Sequence, residues 1–249
     1  MLANSRLTII VPAFNEEATI HSVLSRVFEC LPEVYEVIVV DDASRDETAA
    51  KIKEFATSQP RVRFLQHSAN QGKTAALRTG FEAASGDIIV VQDADLEYDP
   101  QEISELIAPI VAGKADVCLG SRFMVRRAGR VLYYRHFLAN KFLTFLSNLL
   151  TDLNLTDVET GYKAAKSGIM RSMIIESTRF GFEIEFVAKC RKINARIFEV
   201  PISYYGRTYE EGKKIGLKDG LDALWYVVKF NLLRTKADSF RAPPDLKSA

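Results

Sequence analysis

Three acidic residues, Asp93, Asp95 and Glu97, stand at alternate positions directly after an apolar run. Residues 88–91 are all β-branched aliphatics, which predicts a buried strand that ends at the acids. If the chain stays extended there, the three side chains share one face. Carboxylates packed together repel one another unless a cation lies between them. All-oxygen ligands suit Mg²⁺ or Mn²⁺, which takes its remaining ligands from phosphate and water. The alternative is a solvated acidic turn.

A second charged group lies in residues 121–135, which contain no Asp or Glu. Its five arginines are Arg122, Arg126, Arg127, Arg130 and Arg135. The planar guanidinium group matches phosphate oxygens. The segment is therefore predicted to clamp an anionic substrate, with a flexible basic surface loop as the alternative.

The sequence Asn70-Gln71-Gly72-Lys73-Thr74 resembles part of a phosphate-binding loop, but His67 stands where a P-loop requires glycine. We interpret these residues as the start of a helix that brings Lys73 and backbone amides towards a phosphate. The alternative is a plain helix start with an exposed lysine.

Asp41 and Asp42 follow another apolar run. One of these carboxylates is predicted to bind a base or a ribose hydroxyl, and the alternative is that the pair caps a helix.

The elements that position these residues are short strands alternating with helices, which predicts an α/β fold with a mostly parallel sheet covered by helices on both faces. Strands are predicted at 7–12, 35–40, 62–66, 87–92, 115–119 and 196–200. Helices are predicted at 16–31, 72–84, 135–150, 182–192 and 217–233, after Ser44 and from Pro100. Ligands bind beyond the carboxyl ends of such strands, so 12–17, 41–42, 70–73 and 93–97 are expected along one edge.

The composition is that of a globular protein large enough for a sizeable core, with 249 residues of which 47% are hydrophobic. A formal net charge of +1 gives no general attraction to nucleic acid. Cys30, Cys118 and Cys190 are spaced as free thiols of a reducing compartment. We found no signal peptide and no membrane-spanning run, so the protein is expected in the cytoplasm, peripheral to the inner face of the membrane.

In their order along the chain, four motifs resemble those of family 2 glycosyltransferases with the GT-A fold. They are Val11-Pro12-Ala13-Phe14-Asn15-Glu16-Glu17, Val39-Val40-Asp41-Asp42-Ala43-Ser44, Asn70-Gln71-Gly72-Lys73 and Asp93-Ala94-Asp95-Leu96. Later segments resemble the polyprenyl-phosphate subgroup, to which dolichol-phosphate mannose synthases belong. These segments are Gly120-Ser121-Arg122-Phe123, residues 157–162, Gly181-Phe182-Glu183, Val200-Pro201, Arg207 and Lys213-Lys214.

The resemblance implies one domain over residues 1–233, with a nucleotide-sugar half (1–120) and an acceptor half (121–233). Residues 234–249 are polar and include Pro243-Pro244, and this tail is expected to be disordered. It also implies a role for each matching residue. The donor nucleotide would be bound by Pro12, Ala13, Phe14, Glu16, Asp41, Lys73, Asp93 and Lys213, with Lys214 as an alternative to Lys213. Asp95 and Glu97 would hold Mg²⁺ or Mn²⁺. Asp93, Asp95, Arg122, Arg135 and Arg207 would form the catalytic set.

The implied reaction is an inverting transfer of a hexose from a nucleotide-diphosphate sugar to a polyprenyl phosphate. A membrane surface or a membrane partner protein would bring the acceptor, and no nucleic acid takes part. Mannose synthases usually carry glutamine where this chain has Glu97, so both GDP-mannose and UDP-glucose stay open as donors. The alternatives are a hydroxyl acceptor with Asp157 or Glu159 as base, a nucleotidyltransferase, and a non-catalytic nucleotide-sugar-binding subunit.

Overall fold

A single mixed sheet forms the centre of the protein in the computed structural model, which describes residues 5–124, 130–131, 133–208, 210, 217–242, 244 and 246. The strands of this part of the chain are β1 Leu7–Ala13, β2 Glu36–Asp41, β3 Val62–Gln66, β4 Ile88–Val91, β5 Val117–Ser121, β6 Lys163–Lys166 and β7 Ile197–Pro201. The sheet order is β3-β2-β1-β4-β6-β5-β7. Strand β6 pairs antiparallel with β4 and β5, and the other pairs are parallel. The predicted mostly parallel sheet is confirmed.

The helices of the described residues connect and cover these strands. They are α1 Ile20–Cys30, α2 Thr48–Ser58, α3 Lys73–Ala83, α4 Ile103–Val111, α5 Tyr134–Thr151, α6 Ser167–Ser172, α7 Phe182–Lys192 and α8 Leu217–Leu232, with a short 3₁₀ turn at Pro100–Glu102. The predicted starts of α1 at residue 16 and of α2 after Ser44 are a few residues too early, because the chain first forms turns and bends at 17–19 and 45–47.

Alternate strand residues enter two separate cores, which is why the strands read as continuous apolar runs. Ile10 and Ile38 pack on one face with residues of α3, α5, α6 and α7. Ile9 and Val39 pack on the other face with residues of α1 and α4. Both faces of the sheet are thus covered, which leaves the carboxyl ends of its strands available to bind a ligand.

The segment after α8 differs from the expectation of a disordered tail. Phe240 is buried and pairs with Met173 in an isolated bridge, and Ile174 N donates to Ser239 O. Arg234 binds Glu176 through Nη2 at 2.7 Å. The polar composition did not predict this packing, because one buried aromatic residue and a few ion pairs to distant residues suffice to hold the segment against the domain.

Two further expectations from the composition concern thiols and membrane spans. Cys118 and Cys190 are buried, Cys30 is half-buried, and all three are free. Burial raises the pKa of the Cys118 thiol to about 12, which makes it unreactive. Across the described residues, we found no helix with the length and apolarity needed to cross a bilayer.

Candidate functional site

The loops that follow β1 and β2 lie side by side at the carboxyl edge of the sheet. Asn15 N donates to Ser44 Oγ at 2.9 Å, and Arg45 N donates to Asn15 Oδ1 at 2.9 Å. Asn15 adopts a left-handed backbone with φ of 53°, which redirects the chain towards Glu16. The predicted nucleotide-binding residues therefore form one wall, in which Pro12 and Ala13 are buried and Phe14 and Glu16 are half-buried.

Asp41 is the last residue of β2 and is fully buried. Gln66 Nε2 donates to its Oδ2 at 3.0 Å, and Ser44 N donates to its Oδ1 and Oδ2 at 3.3 Å. Because the amide of Gln66 and the Ser44 backbone hold this carboxylate, its orientation is fixed before any nucleoside arrives.

Asp42 organises the loop at residues 70–72, a role that sequence inspection did not assign to it. Its carboxylate accepts from Gln71 N at 2.9 Å and from Gly72 N at 2.6 Å. The backbone amides that were expected to face a phosphate therefore bind Asp42 instead. Gly72 has φ of 90°, a conformation that favours glycine.

The acidic cluster lies on a turn beyond β4 and not on an extended strand. Leu96 has φ of 60°, so Asp95 and Glu97 do not alternate as strand residues do, and the prediction of one shared extended face is wrong. The carboxylates are instead separated into two groups, because a lysine binds Asp93 and an arginine binds the other two.

Arg207 lies among three carboxylates that come from two loops. Its Nη2 is 2.8 Å from Asp95 Oδ2, its Nη1 is 3.4 Å from Glu16 Oε2, and its Nε is 3.5 Å from Glu97 Oε1. Its backbone N also donates to Glu97 Oε1 at 2.7 Å. Burial lowers the pKa of Arg207, but the charges of Asp95, Glu16 and Glu97 outweigh that effect and raise it.

The Asp95 carboxyl titrates far from its ordinary range. Burial, together with the charges of Asp93 and Glu97, raises its pKa to about 7 despite the nearby Arg207. A carboxylate crowded in this way gains from additional positive charge. In the described part of the chain, no three His, Cys, Asp or Glu side chains converge closely enough to hold a metal ion by themselves. The oxygen donors of Asp95 and Glu97 nevertheless suit Mg²⁺ or Mn²⁺ that is also bound by a diphosphate.

Lys73, which begins α3, binds Asp93 and does not point to open solvent. Its Nζ is 2.8 Å from Asp93 Oδ1 and 3.4 Å from Glu183 Oε1, at the start of α7. Burial lowers the pKa of Lys73, but the charges of Asp93 and Glu183 raise it well above its ordinary value. The amine is thus permanently charged and fixes the orientation of Asp93.

Arg122 directly follows β5 and forms a bidentate ion pair with Asp157. Its Nε and Nη2 each donate to an Asp157 carboxylate oxygen at 2.7 Å. Arg135 lies exposed on the first turn of α5, and among the described residues it makes no contact with the acidic cluster. Arg126, Arg127, Lys213 and Lys214 lie outside the described residues.

Glu159 lies close to the charged groups of Glu183 and Lys163. The side chain is only partly exposed, and its Oε1 is buried without a hydrogen-bond partner. Burial, followed by the charge of Glu183, raises its pKa to about 7. Burial also lowers the pKa of Lys163 to about 8.

Sequence inspection gave no role to Tyr204, whose hydroxyl donates to Glu97 Oε2 at 2.8 Å. It also gave no role to Glu183, although the motif that contains it was noticed. Tyr204 has no local pattern that could have revealed it, because 107 residues separate it from Glu97. The acidic start of α7 could have indicated Glu183, which lies in the first turn of that helix.

The protein-family model for Glycosyl transferase family 2 matches residues 8–176 of this chain. Dolichol-phosphate mannosyltransferase of Pyrococcus furiosus is 29% identical over 216 residues, which cover 85% of this chain and 60% of that protein. The chain therefore spans less than two thirds of that relative. Undecaprenyl-phosphate mannosyltransferase of Micrococcus luteus is 29% identical over 221 residues, covering 85% of this chain and 88% of that protein.

Solved structures show the same architecture. A glucosyl-3-phosphoglycerate synthase from Mycobacterium tuberculosis, in complex with Mn²⁺, uridine diphosphate and phosphoglyceric acid, superposes with a TM-score of 0.71. The two proteins are 22% identical, and the superposition covers 92% of this chain and 80% of the synthase. The match confirms the fold expected from the sequence, a mostly parallel α/β sheet of the GT-A type.

Proposed function

This chain belongs to glycosyl transferase family 2, and we propose that it transfers a hexose from a nucleotide-diphosphate sugar to a polyprenyl phosphate. The observation that carries the proposal is the pairing of Asp95 and Glu97 with Arg207 at the carboxyl edge of the sheet. A diphosphate bound there would lie next to the carboxylates of Asp95 and Glu97, through a shared cation, and next to the guanidinium group of Arg207. The names of the Pyrococcus and Micrococcus relatives support a lipid phosphate as the acceptor.

Asp95 and Glu97 would hold Mg²⁺ or Mn²⁺, which stabilises the negative charge of a departing diphosphate. The protein residues contribute charge and orientation. Arg207 would bind diphosphate oxygens with its planar fork, and Lys73 fixes the orientation of Asp93 through its ion pair. Binding of the cation and the diphosphate would replace the ion pairs of Arg207 with Asp95 and Glu97.

A lipid phosphate is already an anion near neutral pH, so it needs no general base and attacks once it is positioned and its charge is neutralised. Arg122 and Arg135 are the candidates for that task. Arg122 is held by Asp157, whereas Arg135 is exposed at the start of α5. Attack from the face opposite the diphosphate would invert the configuration of the transferred sugar.

A donor screen tests the proposal. The purified protein is incubated with Mg²⁺ or Mn²⁺, a short polyprenyl phosphate and one of four radiolabelled donors, which are GDP-mannose, UDP-glucose, UDP-galactose and UDP-N-acetylglucosamine. Transfer of label into organic solvent from one donor, dependent on the lipid phosphate, is the expected result. Absence of transfer from every donor, with nucleotide binding intact, would contradict a lipid-phosphate acceptor.

A hydroxyl acceptor is the second candidate function, and Glu159 is the residue that favours it. A hydroxyl nucleophile needs a general base, and a carboxyl whose pKa is raised to about 7 can accept a proton near neutral pH. If the acceptor is a hydroxyl, Glu159→Gln should lower the rate by about 10²-fold or more. If it is a lipid phosphate, the same variant should retain most of its activity.

A further inference from the structure

Asp42 is a buried carboxylate that accepts hydrogen bonds from two backbone amides and one imidazole. Its side chain is 3% exposed. Gln71 N donates to its Oδ1 at 2.9 Å, and Gly72 N donates to its Oδ2 at 2.6 Å. The imidazole is that of His67, whose Nδ1 lies 2.7 Å from Asp42 Oδ1. Burial of a charged carboxylate is costly without such partners, so the three donors together determine the direction of the Asp42 side chain.

The imidazole of His67 is also held on its other side. Its Nε2 lies 2.9 Å from the hydroxyl oxygen of Thr79, within α3. Because a carboxylate only accepts, Nδ1 carries the hydrogen and donates it to Asp42. Nε2 then accepts from the Thr79 hydroxyl in the neutral ring or donates to it in the imidazolium. The ring therefore connects α3 to Asp42 in either charge state.

The contacts of Asp42 determine the course of the chain at Lys73. The two residues whose amides bind Asp42 directly precede this lysine, whose Nζ is 2.8 Å from Asp93 Oδ1. On the other side of Lys73, the backbone N and the hydroxyl of Thr74 both donate to Arg179 O, at 3.1 and 2.9 Å. The chain is thus held directly before and directly after Lys73, and the holding group on the earlier side is Asp42.

His67 also contacts the neighbouring aspartate. Its backbone N donates to Asp41 O at 2.9 Å, while its ring binds Asp42. Asp41 is the residue expected to bind the nucleoside, and Asp42 holds the loop that leads to Lys73. His67 therefore links the two groups at this edge of the sheet that are expected to bind the donor from different loops.

We propose that His67 is a positioning residue for the donor nucleotide sugar, and that it acts by orienting the Asp42 carboxylate, which holds residues 71–72 and thereby Lys73. The proposal rests on the proposed function, because the donor is the one assigned there. His67 does not itself contact the donor in this proposal. A purely structural role for His67 is the alternative, and substitutions that separate its two hydrogen bonds distinguish the two roles.

Two substitutions remove one hydrogen bond each. In His67→Asn, the side-chain amide replaces Nδ1, so the donation to Asp42 is kept and the contact with Thr79 is lost. In His67→Gln, the longer side chain replaces Nε2, so the contact with Thr79 is kept and the donation to Asp42 is lost. Because each variant lacks one hydrogen bond, urea denaturation should show similar losses of stability. A purely structural role predicts that both variants also bind the donor equally well.

Calorimetric titration with UDP-glucose and with GDP-mannose, in the presence of Mg²⁺, measures donor affinity without any acceptor. For the donor that the wild type binds more tightly, His67→Asn should stay within about twofold of the wild-type Kd, and His67→Gln should raise the Kd by about tenfold. His21→Gln, at an exposed histidine of α1, is the matched control and should bind as the wild type does. Equal Kd values for the two His67 variants would overturn the proposal.

Asp42→Asn tests whether His67 acts through Asp42. If it does, adding His67→Gln to Asp42→Asn should change the Kd by less than about twofold, because the group that His67 orients has already been altered. Independent, multiplying losses in the double variant would overturn the proposed route through Asp42. If Asp42→Asn does not fold, the comparison of the two single His67 variants still decides the proposal.

The proposed function is tested separately, by transfer of the sugar to a polyprenyl phosphate. Unequal donor binding by the two His67 variants, without transfer by the wild type, would support the positioning role and contradict the lipid-phosphate acceptor. Transfer by the wild type, with equal donor binding by the two variants, would overturn only the positioning role. Failure of the folded wild type to bind either nucleotide sugar would overturn both.

Discussion

Arg207 Nη2 lies 2.8 Å from Asp95 Oδ2, which joins residues 112 positions apart at the carboxyl edge of the sheet. The guanidinium occupies the centre of a group of carboxylates that a divalent cation would also favour. Binding of a cation and a diphosphate would therefore change the partners of Arg207. The contributions of its charge and of its planar shape can be measured separately with two substitutions.

We expect Arg207→Gln to lower kcat/KM by about 10²-fold, because the diphosphate loses a charged donor in the transition state. Arg207→Lys should recover part of that loss, since lysine restores the charge but not the two-pronged geometry. Steady-state kinetics with the donor identified by the screen measure both effects. Arg26→Gln, at a surface arginine paired with Glu29 and Asp99, serves as the control. Equal activity of Arg207→Gln and the control would refute the role.

Asp95→Asn preserves the shape of the side chain but removes its charge. Transfer should fall by about 10²-fold or more, and binding of Mn²⁺ together with the nucleoside diphosphate should weaken in calorimetry. The matched control is Asp99→Asn, four residues further along, whose carboxylate accepts from Gln101 N at 3.0 Å. Near-normal activity of Asp95→Asn would exclude Asp95 as a cation ligand.

Lys73→Met separates two roles for this lysine. Because Lys73 binds Asp93 and Glu183 in a buried position, its loss leaves both carboxylates unpaired and should lower the free energy of unfolding by about 3 kcal/mol. Urea denaturation measures this change against Lys114→Met, at an exposed lysine. A variant with normal stability and a raised KM for the donor would instead indicate that Lys73 binds phosphate.

Glu159→Gln should alter the pH dependence of stability. The pKa of Glu159 is raised from 4.5 to about 7 in the folded protein, so the folded state holds this proton more tightly than the unfolded chain. The carboxyl therefore contributes stability below its ordinary pKa, and that contribution is lost as the pH rises through about 7.

The variant has no such loss. Its stability relative to wild type should rise between about pH 5 and about pH 8, by up to about 3 kcal/mol. Thermal denaturation across this range measures the difference, and Glu54→Gln, at an exposed residue, should show none. A pH-independent difference for Glu159→Gln would show that the carboxyl has an ordinary pKa.

Phe240→Ala tests whether the segment after α8 contributes to the fold. Because Phe240 is buried in the core near Met173, its removal should lower the free energy of unfolding by about 3–5 kcal/mol. Phe198→Ala, at a partly exposed phenylalanine, should lower it by much less. Similar values for both variants would indicate that the segment does not stay docked in solution.

Local sequence patterns determined the strands and most helices. An apolar run between turn residues predicts a strand, and apolar residues at helical spacing predict a helix, without knowledge of the position in the sheet. They also located the acidic cluster, since polar residues after a buried strand must stand at its end. The pattern did not reveal β6, Lys163–Lys166, whose Lys-Ala-Ala-Lys sequence has low strand propensity. That strand forms because β4 and β5 both supply backbone partners.

Only the tertiary structure decided how the charges pair. The sequence predicts three carboxylates around one cation, whereas the fold assigns Asp93 to Lys73 and leaves Asp95 and Glu97 with Arg207. Likewise, the amides of Gln71 and Gly72 bind Asp42. Residue type and spacing fix which groups reach the edge of the sheet, but their partners come from loops up to 112 residues away. Those partners depend on how the connections cross the sheet, which no local pattern encodes.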